Sequence, residues 1–136
     1  MTATITITNP ILRGMNPDPS WIWDDEFQRI VLVTSTFELV PGLPIYVSED
    51  MTCWKHVSNV VDADLARRLL IPFVDDSGGV YAPTLRRIHG KYVIACTIAR
   101  LDDRRAMEGG CTESELMRFH AAEGNFILEA ESIEGP

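Results

Sequence analysis

The run Arg29-Ile-Val-Leu-Val-Thr-Ser-Thr36 sets the terms for the rest of the chain. A segment so rich in β-branched side chains and so continuously apolar predicts a strand covered on both faces. Pro41-Gly42 marks a turn, and Leu43–Ser48 reads as the next strand, with Pro44 at its start or on an edge because proline cannot donate a ladder hydrogen bond. Cys53–Val60 follows, with Trp54 and His56 on one face and Lys55 and Val57 on the other. Val80–Arg86, Lys91–Ile98 and Asn125–Ala130 complete the strand signals, and His89-Gly90 supplies a turn between the first two of these. Strands joined by turns at such short spacing, with little helix, are the pattern of all-β meanders such as sandwiches and propeller blades.

Two stretches differ. Asp62–Leu70 reads as a short helix capped by Asp62, with Leu65 and Leu69 on one face and Pro72 as its stop. Residues 101–118 read as a variable, exposed loop around Asp102–Arg105 and Gly109-Gly110, while Thr112-Glu-Ser-Glu115 has capping-box spacing that allows one or two helical turns. The last residues, Glu134-Gly135-Pro136, are turn chemistry.

Charge narrows the function classes. The net charge is −8, and the excess acid is at the ends: residues 1–60 sum to −4, 61–100 to +2 and 101–136 to −6. Phosphate neutralisation needs a basic surface, so no nucleic-acid partner is expected. No apolar run approaches the ~20 residues of a membrane span, so no membrane partner is expected either. The N-terminal Met-Thr-Ala-Thr-Ile-Thr-Ile-Thr lacks a basic n-region and an apolar h-region, so a cytoplasmic location is expected. Cys53, Cys96 and Cys111 are odd in number and show no CxxC spacing, which argues for reduced thiols. His56, His89 and His120 lack the spacing of a zinc site, and neither a metal nor a cofactor is expected.

Taken alone, Asn16-Pro-Asp-Pro-Ser20 is a turn in which Pro19 should push Asp18 toward an extended conformation. The acid clusters Asp24-Asp25-Glu26, Asp75-Asp76 and Asp102-Asp103 read as solvated turns. Ser77-Gly-Gly79 lacks the spacing and lysine of a phosphate-binding loop. Trp21, Trp23 and Trp54 read as core or sheet-face residues, although aromatic faces also stack on sugars.

Read in order, these pieces carry a resemblance. Asn9–Ser20 resembles the opening of glycoside hydrolase family 43, the β-xylosidase and α-arabinofuranosidase family. Thr34-Ser-Thr-Phe-Glu38 with Pro41-Gly42, and Pro44-Ile-Tyr46 after it, resembles that family's next motif. Ser48-Glu-Asp50 with Trp54, and Ser77-Gly-Gly-Val-Tyr-Ala-Pro83, resemble the two that follow. Asn125–Ala130 through Pro136 is similar to the strand and turn closing the family's second blade.

The resemblance implies an all-β fold: the first two blades of a five-bladed β-propeller, truncated. Residues 1–136 would form a partial catalytic domain, blade 1 and most of blade 2. It implies inverting hydrolysis of xylosidic or arabinosidic O-glycosyl bonds, with Asp18 as the general base and Phe37, Tyr81 and Ala82 lining a sugar subsite. Tyr81 stands where the family more often has Trp. The family's acid, a Glu, and the Asp that tunes it belong to later blades, and neither motif appears in these 136 residues. A xylo- or arabino-oligosaccharide is the implied partner, with little or no activity expected of this chain alone. Two alternatives remain open at this stage: a non-catalytic carbohydrate-binding module, and a module that self-associates through open sheet edges.

Overall fold

A computed structural model describes residues 4–134. Met1–Ala3 and the final Gly135-Pro136 of the expected closing turn lie outside the described residues. The first four strands, β1 (Ser20–Asp24), β2 (Arg29–Val33), β3 (Gly42–Ser48) and β4 (Lys55–Val61), form one antiparallel sheet in sequence order. Three more, β5 (Val74–Ile88), β6 (Lys91–Leu101) and β7 (Asn125–Ala130), form a second. Both are antiparallel with neighbours in sequence order, and β1 runs alongside β5 where the sheets meet.

In β2, Ile30, Val31, Leu32 and Val33 are all buried, so that strand is covered on both faces as its composition predicts. Val31, Val33, Ile45, Val80, Leu85 and Ile94 belong to one core cluster that joins the two sheets. Pro44 pairs with Asn59 of β4 and lies beyond the last β2 pair, Val33 with Ile45, so its missing N–H interrupts no bond to β2.

The helix after β4, α1 (Ala63–Arg68), starts where Asp62 accepts from the Leu65 amide at 2.8 Å. Leu70 then turns left-handed with φ 60°, and Pro72 falls in a one-turn 3-10 helix, Ile71–Phe73.

The stretch 101–118 is not the exposed loop its charges suggest. It holds α2 (Asp103–Glu108) and the first part of α3 (Glu113–Ala121). Asp102 caps α2 through the Arg105 amide at 3.0 Å, so the acid-rich start is helix-cap chemistry. Thr112 and Glu115 form the reciprocal capping box that their spacing allows. Ala106, Cys111 and Leu116 bury a small second core with Leu70 and Phe73.

Two further readings are corrected. Trp21 and Trp23, 59% and 44% exposed, take the sheet-face position on β1, while Asp24 in the same strand is fully buried and no solvated turn. Arg87 donates to one oxygen of Asp24 and the Tyr92 hydroxyl to the other, and Arg29 stands 3.8 Å away. A buried carboxylate needs such partners, and these come mostly from the second sheet. Asp18 is the second: its φ is +50°, not extended.

Candidate functional site

Asp18 owes its conformation to Ser35. The Ser35 amide donates to the Pro17 carbonyl at 2.9 Å, and the Ser35 hydroxyl donates to Asp18 Oδ2 at 2.8 Å. These two bonds hold the backbone before Asp18 and the carboxylate after it, and they override the preference that Pro19 imposes. Asp18 as a whole residue is exposed.

The other three expected site residues lie where the two sheets join, and Ala82 is tied to Asp18 through Ser35. Ser35 Oγ also accepts from the Ala82 amide at 2.8 Å, which brings Ala82 beside Asp18. Phe37 and Val80 exchange both backbone hydrogen bonds, at 3.2 and 2.9 Å, in a bridge that links the first sheet's chain to β5. That bridge sets the Phe37 ring 4.9 Å from the Tyr81 ring, tilted by 54°. The Tyr81 hydroxyl donates to the Ser77 carbonyl, which fixes the ring's tilt. The two rings therefore form a corner rather than a flat platform.

Strained backbone accompanies this assembly. Asp18, Phe37 and Ala82 all have positive φ, at 50°, 54° and 43°, a conformation that costs side-chain-bearing residues about 1–3 kcal/mol each. Such strain persists only where surrounding contacts over-determine it. At Ala82 the β5–β6 ladder also slips, from Tyr81 opposite Thr97 to Thr84 opposite Ala95. This bulge turns the chain so that the Ala82 amide reaches Ser35. Cys96 lies opposite the bulge and donates through Sγ to the Tyr81 carbonyl at 2.9 Å. Burial pushes its thiol up to about 11, and the nearby Asp18 charge adds to the same direction. Cys96 is therefore a packing residue here, held protonated.

Ser35 is the residue that sequence reasoning left without a role. It lies inside the quoted Thr34–Glu38 motif, but nothing local says that it bridges positions 18 and 82. Asp18, Ser35, Phe37, Tyr81 and Ala82 do not line a separate groove of about 870 Å³ that is bounded by Ile45, Val60, Leu65, Leu85, Ile94 and Leu128 among others. Among the described residues no cluster of His, Cys, Asp or Glu has the arrangement of a metal site.

Comparison with known proteins gives the family and the fold. Residues 7–136 match the family described as Glycosyl hydrolases family 43. The chain is 43% identical over 94 residues to the non-reducing end alpha-L-arabinofuranosidase BoGH43B of Bacteroides ovatus, covering 68% of this chain and 17% of that protein. It is 37% identical over 129 residues to a beta-xylosidase of Bacillus subtilis strain 168, covering 95% of this chain and 21% of the relative. Among solved structures, the Bacteroides ovatus xyloglucan-locus GH43B superposes with a TM-score of 0.72 at 33% identity, over 96% of this chain and 22% of that one. The xylan beta-1,4-xylosidase of Bacillus halodurans C-125 superposes with a TM-score of 0.69 at 29% identity, over 96% and 22%. The chain thus spans about a fifth of the length of the relatives it matches. Those structures are five-bladed β-propellers, and the two sheets described above are blades of that architecture.

Proposed function

Because this chain belongs to glycosyl hydrolases family 43, we propose that it carries the base-bearing part of a site that hydrolyses xylosidic or arabinosidic bonds with inversion. Asp18 is the general base. It takes a proton from a water whose oxygen bonds to the anomeric carbon, while the electron pair of the breaking glycosidic bond passes to the leaving oxygen. In an inverting pair the acid that protonates that oxygen stands about 6.5–9.5 Å from the base. By family resemblance it is a Glu of a later blade. Phe37 and Tyr81 line the sugar subsite, one ring against the apolar face of a pentose and the other against its edge, with Ala82 beneath.

The observation that carries this reading is the meeting of Asp18, Phe37, Tyr81 and Ala82 around Ser35, from segments distant in sequence. The 136-residue chain, having the base without its acid, turns over little or nothing, since such groups contribute about 10²–10⁴-fold each. Incubation with aryl β-xyloside and aryl α-arabinofuranoside tests this: no turnover is expected, and turnover that disappears in Asp18→Ala would overturn it. Titration with xylose or arabinose tests the subsite. Shifts at the Phe37, Tyr81 and Ala82 resonances are expected, and a folded sample silent at millimolar sugar would count against the site.

A second reading rests on Trp21 and Trp23, exposed on one face of β1, which suit a stacking surface for a longer saccharide. Calorimetry with xylo-oligosaccharides, comparing Trp21→Ala with Asp18→Ala, separates the two surfaces. Self-association rests on the outer edges of β4 and β7, which pair with no further strand among the described residues. A single sharp monomer boundary in sedimentation velocity would exclude it.

A further inference from the structure

We infer that Ser35 is the positioning residue for the Asp18 carboxylate and leaves Oδ1 as the oxygen that receives the water's proton; this rests on Asp18 being the base. Ser35 is fully buried. A hydroxyl has one proton to give and two lone pairs to accept with. The Ala82 amide can only donate, and it takes one lone pair of Ser35 Oγ at 2.8 Å. The Ser35 proton is directed to Asp18 Oδ2, also at 2.8 Å. Oδ2 therefore has one lone pair taken by a donor and is the less basic oxygen, which favours Oδ1 for an incoming proton.

The same hydroxyl joins the base to the segment that lines the sugar subsite. Asp18 and Ser35 flank the first sheet, whereas Ala82 lies in β5 of the second. A ligand that displaces Tyr81–Ala82 moves the donor to Ser35 Oγ, the hydroxyl that holds Asp18 Oδ2. The Ser35 amide, on the Pro17 carbonyl at 2.9 Å, stops the Asp18 backbone from following freely.

The test is nuclear magnetic resonance on the 136-residue chain carrying Ser35→Ala, Ser35→Thr or Asp18→Ala. Ser35→Ala is expected to speed exchange of the Ala82 amide by about tenfold and to move the Asp18 Cγ resonance, because one hydrogen bond is lost at each. Ser35→Thr, which keeps the hydroxyl, is expected to preserve both signals. Asp18→Ala alters an exposed residue. It is expected to shift the Ala82 amide resonance, since the Ser35 proton loses its acceptor, while the amide stays protected. Unchanged Ala82 exchange and Asp18 Cγ in Ser35→Ala overturn the inference, as does Ser35→Thr behaving like Ser35→Ala. Should Ser35→Ala not fold, an Ala82 resonance indifferent to Asp18→Ala overturns it instead. None of these signals depends on sugar, so failure of the sugar titration above would show separately.

Discussion

Gly79 lies against Phe37 so closely that a Cβ on it would run into the Phe37 carbonyl and meet the Glu38 nitrogen at 2.7 Å. Its φ of +100° is also one that side-chain-bearing residues seldom adopt. Gly79→Ala should therefore break the Phe37–Val80 bridge and separate the Phe37 and Tyr81 rings. A loss of about 2 kcal/mol or more is expected in urea denaturation, with loss of ring-to-ring nuclear Overhauser contacts.

Asp24 ties the sheets together at the other end of β1. Asp24→Ala strands the buried Tyr92 hydroxyl and takes one partner from Arg87, which keeps Glu26. The expected destabilisation is on the order of 2 kcal/mol, read as a lower urea midpoint. Asp24→Asn keeps an acceptor for Tyr92 and should lose less. Equal losses in the two variants would show that charge, not hydrogen bonding, governs the site.

Asp50 gives an acid-side signature. The Cys53 amide, the Thr52 hydroxyl and the Thr52 amide all donate to its carboxylate, holding its pKa at about 2 against an ordinary 3.8. A carboxylate with a depressed native pKa adds stability that is complete above the unfolded value and lost as pH falls toward the folded one. Stability of the turn after β3 should fall between about pH 4 and pH 2. In Asp50→Asn that part of the pH dependence should vanish. An unaltered acid-denaturation curve in the variant would remove Asp50 from the account.

Thiol reactivity should divide by burial. Cys53 is exposed, while Cys96 and Cys111 are buried and burial raises both of their pKa values. A maleimide at neutral pH should label Cys53 alone in the folded chain and all 3 cysteines after denaturation. Rapid labelling of Cys96 in folded protein would mean that the β5–β6 bulge opens readily.

The strands were legible because their signals are local. Arg29–Val33 and Asn125–Ala130 announce themselves by composition, and Thr112–Glu115 by capping chemistry. What stayed illegible depends on partners far along the chain. Trp21–Asp24 looks wrong for a strand with its apolar side inward, because Asp24 faces inward with Ile22 while both tryptophans face out. Arg87, which makes that burial tolerable, is 63 positions away. The six residues of α2 are too few to show a helical period, so Asp102-Asp-Arg-Arg105 read as a loop. At the site, Asp18, Phe37, Tyr81 and Ala82 were picked out by motif order and not by physics, since each alone has a plain structural explanation. Ser35 lay within the same motif, but only the folded chain shows which two groups its hydroxyl serves.

Two fastenings join β1 to β5: the Leu85 amide on Ser20 Oγ at 3.0 Å, and Arg87 on Asp24. One is a neighbour of Asp18 and the other is at the strand's far end. Two blades pinned at both ends of a shared seam cannot rotate against each other without breaking one pin. The spacing of Asp18 from Ala82 is thus held by the whole seam as well as by the Ser35 hydroxyl that bridges them. A substitution at Asp24 would loosen that seam from its far end before it touched either bond of the hydroxyl.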